Sequence, residues 1–305
     1  MTAPAALRHL RRSSSRRRHG DLLPALAFVL PATFGFVAFY IWPTVRGFYF
    51  SLTDYSLLGP ARFVGVDNYK QMIDDRLFWN ALLVTAEYVL INIVTQTVLA
   101  LLIAVLMHRL TRSIVVRGII MLPYFVANVV VAIVWYWMLD PQIGVINELL
   151  NAVGVDRLSF FGDTAAAMPT VALLNTWRHV GYTALLIVAG MQMIPRTFYE
   201  AAALDGASEW RMFWRVTLPL LRPVMALVLV LTVIGSFQVF DTVAVTTSGG
   251  PVNATRVIVY YIYDQAFNRF HFGFASAMSF AVFVLLVGIA YVQLRLTRAH
   301  DSDLS

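Results

Sequence analysis

The stretch at residues 200–223 reads EAAALDGASEWRMFWRVTLPLLRP, and it is the most charged part of an apolar C-terminal half. Pro195 ends the segment before it, because proline cannot continue an incoming helical hydrogen-bond ladder. Pro219 and Pro223 interrupt its far end for the same reason. Asp205-Gly206 is a turn signal between them, so the stretch is predicted to hold two short helices.

The second of these helices is predicted to be amphipathic. Four of its residues recur at the i, i+3, i+4 and i+7 positions of a helix, and two arginines fall on another face. The four are Trp210, Phe213, Trp214 and Thr217. On periodicity alone, this pattern indicates a hairpin that lies in the membrane interface, with its arginines toward lipid headgroups.

The composition is that of a membrane protein. Of the 305 residues, 59% are hydrophobic and 13% are charged, and the mean hydropathy is +0.70. A soluble domain carries about 25% charged residues, so the chain is predicted to be an integral membrane protein. The net charge of +6 raises the question of nucleic-acid binding. Because the arginines flank apolar segments, membrane topology explains the charge better, and no nucleic-acid partner is expected.

Six apolar stretches are long enough to cross a bilayer, which takes about 20 residues. Each is expected to be helical, because lipid offers no hydrogen-bond partner to free backbone groups. The sequence therefore predicts an all-α fold with six transmembrane helices, at about 22–42, 81–107, 114–138, 168–193, 223–247 and 273–294.

The distribution of arginine sets the predicted orientation. With six spans, both termini and two connections share one side, where there are fifteen arginines. The other side has seven arginine or lysine residues and nine carboxylates. The positive-inside rule therefore predicts that both termini and the 200–223 stretch are cytoplasmic. Residues 1–20 are predicted to be a basic cytoplasmic tail beside anionic lipid, and 21–305 the transmembrane domain.

An ordered signature runs through the 200–223 stretch: Glu200-Ala201-Ala202, then Gly206, then Leu218-Pro219. It resembles the EAA loop in the permease subunits of bacterial binding-protein-dependent ABC importers. The DGA phrase at 205–207 is similar to the carbohydrate and glycerol-phosphate uptake branch of that family, the maltose-type permeases. The phrases VGVDNY at 64–69 and TTSGGP at 246–251 resemble two further phrases of the same permeases.

The resemblance implies a coupling role for the loop between spans four and five. In that family the EAA loop forms a coupling helix, which docks into a groove on a cytoplasmic ATPase. A carboxylate there can take an arginine or a helix N-terminus from the partner, and small residues allow close approach. The residues implied to contact the ATPase are Glu200, Ala201, Ala202, Asp205, Gly206 and Phe213.

The resemblance also implies partners and a location. They are a second homologous permease subunit, two copies of the ATPase and an extracytoplasmic substrate-binding protein, in the inner membrane of a bacterium. The chain has no P-loop, and its only lysine is Lys70, so ATP and magnesium are expected on the ATPase. No cofactor, metal site or catalytic motif is expected in this chain, which is therefore predicted not to be an enzyme.

Polar side chains inside the predicted spans indicate where a solute could pass, because such residues are costly in lipid. The first interpretation of Asn92 and Gln96 is that their side chains form hydrogen bonds between helices. Arg178 lies near the middle of span four, where an unpaired arginine costs about 2.5–3.5 kcal/mol. It therefore needs a wet cavity or a partner, and Asp241 is the nearest candidate by depth.

Similarity to the maltose-type permease extends the predicted solute path. That permease holds its sugar beside a Leu-Pro-Tyr phrase and an Asn-Thr-Trp phrase, which stand here at 122–124 and 175–177. The resemblance implies a path that includes Tyr124, Asn128, Asn175, Arg178, His179 and Ser236, and the polar positions Gln238 and Asp241 are added to it.

The expected solute is a sugar or a glycerol-phosphate-type compound. Arg178 and His179 replace apolar or small residues of the maltose-type permease, so maltose itself is not implied. A guanidinium beside an imidazole suits an anion or a phosphodiester, which stays open as an alternative.

Two other classes of function compete with the importer. A secondary transporter would move its own coupling ion, with Glu87 or Asp241 carrying protons, although the sequence shows no internal repeat. A membrane-bound enzyme would need a catalytic constellation that the motifs do not supply. Co-purification of an ATPase distinguishes the importer from both.

Overall fold

The computed structural model describes residues 22–56, 59–110 and 113–298. The predicted basic tail at 1–20 lies outside these residues. In the described part every regular element is a helix, and an isolated β-bridge joins Thr53 to Phe63. The prediction of an all-α protein is confirmed.

Fifteen α-helices follow one another along the described chain, and three short π-helical turns adjoin them. The helices are α1 (Leu22–Phe36), α2 (Trp42–Ser51), α3 (Asp67–Asp74), α4 (Arg76–Leu110), α5 (Ile114–Phe125), α6 (Asn128–Met138), α7 (Val145–Ala152), α8 (Thr164–Gln192), α9 (Arg196–Leu204), α10 (Glu209–Met212), α11 (Leu218–Leu220), α12 (Arg222–Phe237), α13 (Asp241–Thr246), α14 (Ile258–Tyr263) and α15 (Phe272–Arg298).

The first span runs past its predicted end at residue 42. A π-helical turn at Val37–Ile41 joins α1 to α2, and the N–H of Trp42 donates to the carbonyl of Val37, five residues back. Pro43 has no N–H to give to a helical carbonyl. The wider turn directly before it accommodates this loss, so the apolar helix continues over Ala27–Ser51.

The predicted span at 114–138 is two helices and not one. α5 and α6 are bent by 90° at the residues between them, Val126 and Ala127, which have extended backbone. Pro123 weakens the last turn of α5 because it donates no hydrogen bond. The prediction of a continuous helix over this span is wrong.

The predicted span at 223–247 is also interrupted. α12 ends at Phe237 and α13 begins at Asp241, and Phe240 has the non-helical angles φ −142° and ψ −59°. The two helices together still form one apolar segment, Arg222–Thr246.

Four helical segments of the described chain are long and apolar enough to cross a membrane, and the bent pair α5–α6 makes a possible fifth. The four are Ala27–Ser51, Arg76–Leu110, Arg222–Thr246 and Phe272–Leu296. α8 covers the predicted fourth span and has 29 residues, but Asn175, Arg178 and His179 lie in its middle. Fourteen of its residues are buried, so α8 faces other helices and needs little apolar surface. By length and hydropathy, the described chain therefore has fewer than the six predicted membrane spans.

α4 and α8 pack along each other at the centre of the helix bundle. Ala100, Ala104 and Ala184 are fully buried in one cluster there, and small residues let helix backbones approach closely. Gly181 marks a close approach of α8 to α5, because a Cβ at this position would lie 2.1 Å from the carbonyl oxygen of Ile120.

Connections that were predicted to share a side of the membrane meet at the same end of the bundle. At one end, Arg109 of α4 forms an ion pair with Glu209 of α10. At the other end, the N–H of Ile258 donates to Thr85 Oγ1 at 2.8 Å, and the hydroxyl of Tyr261 donates to Asp75. This grouping is compatible with the predicted topology.

Candidate functional site

A cavity of about 180 Å³ lies among α4, α5, α6, α8, α12 and α13. Seven of the eight residues predicted to form the solute path line it, although they come from distant parts of the sequence. The seven are Tyr124, Asn128, Asn175, His179, Ser236, Gln238 and Asp241. The eighth, Arg178, lies beside the cavity and is not among its lining residues.

Asn92 is the centre of a buried hydrogen-bond network that joins α4, α8 and α12. Its Nδ2 donates to Ser236 Oγ at 2.8 Å and to Gln96 Oε1 at 3.1 Å. Its Oδ1 accepts from Thr176 Oγ1 at 3.2 Å, and Gln96 Nε2 donates to Thr183 Oγ1 at 2.8 Å. The interpretation of Asn92 and Gln96 as interhelical hydrogen bonds is therefore confirmed, and both residues also border the cavity.

The break between α12 and α13 places a carboxylate on the cavity wall. Asp241 is the first residue of α13, and its Oδ2 accepts a hydrogen bond from Asn128 Nδ2 at 3.0 Å. Asn128 is the first residue of α6, so this bond joins the two helices that follow the two breaks. Among the lining residues in the described chain, Asp241 is the one that carries a formal charge when histidine is neutral.

Arg178 has partners, as predicted, but Asp241 is not a direct one: the two charges interact without forming an ion pair within 4 Å. Its Nε donates to the carbonyl of Val126 at 2.9 Å, and its Nη2 donates to the carbonyl of Tyr124 at 3.0 Å. These carbonyls lie at the break between α5 and α6, where a helix end leaves such groups without partners. Pro123 is a sequence signal for a break here, but the prediction of one continuous span did not use it and so missed the acceptors that the break supplies.

Aromatic rings surround this arginine. The ring of Tyr124 stacks on that of Tyr182 with centroids 4.6 Å apart, and the guanidinium carbon of Arg178 lies 5.4 Å from the Tyr124 centroid. Arg178 Nη1 lies 2.8 Å from His179 Nε2, and His179 Nδ1 lies 2.9 Å from the carbonyl oxygen of Asn175. Because a guanidinium only donates, this geometry is satisfied by the tautomer with its proton on Nδ1.

Sequence reasoning missed several threonines: Thr183, Thr232 and Thr242 line the cavity, and Thr95 and Thr176 belong to the hydrogen-bond network beside it. Thr95 and Thr176 join α4 to α8 through hydroxyls 3.0 Å apart, and Thr183 accepts from Gln96. Thr183 lies four residues after His179 and therefore on the same helix face, which is the signal that could have found it. Thr176 lies within the Asn-Thr-Trp phrase at 175–177, which was a signal for it, whereas Thr95 had none.

The predicted coupling residues form one exposed hairpin. α9 and α10 are separated by the turn at Asp205-Gly206, as expected, and Gly206 has φ +71°. Its N–H donates to the carbonyl of Ala203, and the N–H of Ala207 donates to that of Ala202, both at 3.0 Å. This is the hydrogen-bond pattern by which a left-handed residue ends a helix.

The hairpin presents apolar side chains that the described chain leaves uncovered. Leu204 is 90% exposed and Trp210 is 71% exposed. Glu200 and Ala201 are exposed on α9, Ala202 and Phe213 are partly buried, and Asp205 and Gly206 are exposed at the turn. An exposed apolar patch with a polar rim marks an interaction surface.

Two contacts fix this hairpin to the spans. The ion pair between Arg109 and Glu209 links α10 to α4. The hydroxyls of Tyr199 and Thr217 lie 3.1 Å apart and link α9 to the segment that leads into α12. These contacts join the hairpin to α4 and to the segment before α12.

In the connections between spans at the opposite end of the molecule, two ionisable groups have shifted pKa values: Asp140, and Tyr261 of α14. Backbone N–H groups of Ile143 and Gln142 lower the pKa of Asp140. Burial and the hydrogen bond to Asp75 raise the pKa of Tyr261 to about 12. Within the described residues, no group of three His, Asp or Glu side chains is arranged to hold a metal ion.

Interrupted helices around a polar cavity define a multi-pass helical membrane protein of the transporter class. Residues 96–300 match the family described as binding-protein-dependent transport system inner membrane component. The chain belongs to this family: it is a permease subunit of an ABC importer, and it is not itself an enzyme. The predicted resemblance is confirmed.

Relatives and a solved structure agree with this assignment. The chain is 31% identical to the trehalose/maltose transport system permease protein MalF of Thermococcus litoralis, over 93% of this chain and 97% of that protein. It is 32% identical to the sn-glycerol-3-phosphate transport system permease protein UgpA of Agrobacterium fabrum, over 90% and 94% of the two chains. A chain of the bacterial alginate ABC transporter, solved in complex with an alginate pentasaccharide-bound periplasmic protein, has the same fold. Its TM-score is 0.82 at 24% identity, over 93% of this chain and 96% of that one.

Proposed function

We propose that this chain is one of two homologous permease subunits that move a sugar-type solute across the bacterial inner membrane. The observation that carries the proposal is the gathering of seven predicted path residues around one cavity. Amide, hydroxyl and carboxylate groups there match the hydroxyls of a sugar, and aromatic rings beside them offer stacking surfaces. The relatives belong to trehalose/maltose and sn-glycerol 3-phosphate transport systems, which supports a polyhydroxylated solute.

The charges around the cavity favour a neutral solute over a phosphate. The guanidinium of Arg178 is engaged by two backbone carbonyls and does not line the cavity. The carboxylate of Asp241 does line it and interacts with the charge of Arg178, so the cavity offers no unbalanced positive charge to an anion. A neutral sugar is therefore proposed ahead of glycerol phosphate or a phosphodiester.

The proposed topology has six crossings, with both termini in the cytoplasm and α8 as the fourth crossing. The fifteen arginines on the inner side support this orientation. An extracytoplasmic binding protein would deliver the solute to the end where α3 and α14 lie. Two copies of an ATPase would bind ATP and magnesium at the end where α9 and α10 lie.

Coupling is proposed to pass through residues 196–217. The exposed face of this hairpin would dock on the ATPase, with Glu200 taking a cationic partner or a helix N-terminus. Movement of the ATPases would push the hairpin. The contacts of Glu209 with Arg109 and of Tyr199 with Thr217 would then carry that movement to α4 and α12.

Isolation of the intact complex through a tag on this chain tests the function. The expected result is that an ATPase and a second permease co-purify, because a secondary transporter would bring neither. Absence of an ATPase from a complex extracted under mild conditions would contradict the importer.

Solute-stimulated ATP hydrolysis by the same complex, with its binding protein present, tests the solute class. Maltose and trehalose serve as neutral probes, and sn-glycerol 3-phosphate serves as the anionic probe. Stimulation by a neutral sugar is expected. Stimulation by the phosphate alone would refute a neutral-solute cavity.

A further inference from the structure

The bend between α5 and α6 frees backbone carbonyls within a membrane span. A helix end leaves up to four carbonyls without partners, and lipid supplies no donor to replace them. Here two of them, on Tyr124 and Val126, accept hydrogen bonds from a single side chain on another helix, Arg178 of α8. The donor–acceptor distances are 2.9 and 3.0 Å.

The guanidinium is well suited to this place. It is planar and offers several N–H donors in a fixed fork, so one side chain can serve two carbonyls at once. The ring of Tyr124 and the imidazole of His179 flank it on other sides. Gly181, one turn further along α8, permits the backbone of α5 to approach to the distance at which Arg178 reaches the break.

The bend determines what closes the cavity. α6 turns away from the direction of α5 and packs along α13, and its first residue, Asn128, donates to Asp241. If the span were a straight helix, α6 would continue along the axis of α5, and Asn128 would leave Asp241. The bend therefore positions α6 so that its first residue, Asn128, forms part of the cavity wall.

We propose that Arg178 is a positioning residue and not a solute ligand. It caps the broken span by binding the freed carbonyls, and in this way it holds α6 across the cavity with Asn128 against Asp241. Only the description of the cavity as a solute path rests on the proposed function; the capping of the bend does not.

The bend can be measured directly in the full chain, which has no cysteine of its own. Spin labels are placed at Val115→Cys on α5 and Trp137→Cys on α6, both exposed positions. Each lies about 11 residues from the break, so each leg is about 16 Å long at 1.5 Å per residue. Two such legs at a right angle predict a separation of about 23 Å, and a straight helix predicts about 33 Å. A control pair at Leu83→Cys and Leu106→Cys lies on the unbroken α4.

Pulsed electron paramagnetic resonance of the chain in lipid nanodiscs then compares native Arg178 with Arg178→Ala and Arg178→Lys. We expect about 23 Å for the native chain and a shift toward about 33 Å for Arg178→Ala, with the α4 pair unchanged. Arg178→Lys keeps donors without the fork and should show an intermediate shift. If Arg178→Ala is not recovered in the membrane, the lysine variant decides the question on the same criterion.

A separation that stays near 23 Å in both variants would overturn the proposal. Loss of solute-stimulated hydrolysis with an unchanged separation would instead make Arg178 a solute ligand. A shift of the α4 pair together with the α5–α6 pair would show general unfolding and would also reject the specific capping role. The distance between the spin labels does not depend on transport activity. It therefore tests the capping role of Arg178 even if the cavity turns out not to be a solute path.

Discussion

Removal of the Asn92 side chain should destabilise the helix bundle, because this one amide holds α4 against both α8 and α12. Asn92 is 1% exposed and makes three side-chain hydrogen bonds of 2.8–3.2 Å, to Gln96, Thr176 and Ser236. Side-chain hydrogen bonds within membrane proteins average about 0.6 kcal/mol each, so Asn92→Ala is expected to lower the free energy of unfolding by about 2 kcal/mol.

The measurement is reversible unfolding in bicelles by steric trapping, compared with Asn151→Ala at an exposed position on α7. The control should change the free energy by less than about 0.5 kcal/mol. A double-mutant cycle with Ser236→Ala should return a coupling near 0.6 kcal/mol, the average for one such bond. A loss of less than about 0.5 kcal/mol for Asn92→Ala, or a coupling of zero, would refute the network as a stabilising element.

Three further predictions concern local geometry. Gly181→Ala should lower the free energy of unfolding by about 1–3 kcal/mol, because the new Cβ meets the carbonyl oxygen of Ile120. Thermal or steric-trapping measurements check this. In the control Gly35→Ala the new Cβ meets nothing within 4 Å, so no comparable loss is expected. Gly206→Ala should destabilise the α9–α10 turn by about 1 kcal/mol, because alanine is strained at a φ of +71°. Faster proteolysis of this turn in the variant is the expected result. An unchanged cleavage rate would contradict the strain. The pKa of Asp140 is lowered in the folded chain, so the ionised carboxylate stabilises the fold at any pH above its pKa in the unfolded chain, about 3.9. This stabilisation is lost as the pH falls through the lowered pKa of the folded chain. In Asp140→Asn, the protection of residues 139–148 from hydrogen exchange should no longer fall at acid pH through this group. The same pH profile in the variant and in the native chain would contradict a stabilising role of the Asp140 carboxylate in this turn.

Hydropathy predicted the helical class and most of the span positions, because lipid forces an unbroken apolar stretch to be helical. It failed where a stretch stays apolar but the backbone changes direction. Val126 and Ala127 are as apolar as their neighbours, and the break at this point depends on acceptor groups that another helix satisfies. Local composition cannot report a partner that lies 52 residues away in the sequence.

Arg178 shows the same limitation at a functional position. The cost of an unpaired arginine in a membrane correctly indicated that the residue needs partners. Depth alone suggested the carboxylate of Asp241, but the guanidinium binds backbone carbonyls that exist as free acceptors only because α5 ends there. Most of the remaining path residues were identified by similarity to a family, and Gln238 and Asp241 were identified as polar residues within a span. The structure gathers these seven residues around one cavity.

α8 illustrates how burial changes the rule for a span. Its polar side chains make it too hydrophilic to be recognised by length and hydropathy, yet it contacts α4 along its length and contributes two of the seven cavity residues. A helix surrounded by other helices does not have to match lipid, so hydropathy describes this span poorly although it borders the cavity.

The most direct test of the account is ATP hydrolysis by the reconstituted complex with native chain and with Glu200→Lys. Asp156→Lys is the matched control, because it makes the same change of charge at an exposed site in the connection between α7 and α8. The account predicts that Glu200→Lys abolishes solute-stimulated hydrolysis in a complex that still inserts, while Asp156→Lys retains it. Full stimulation of a properly assembled Glu200→Lys complex would contradict coupling through the α9–α10 hairpin.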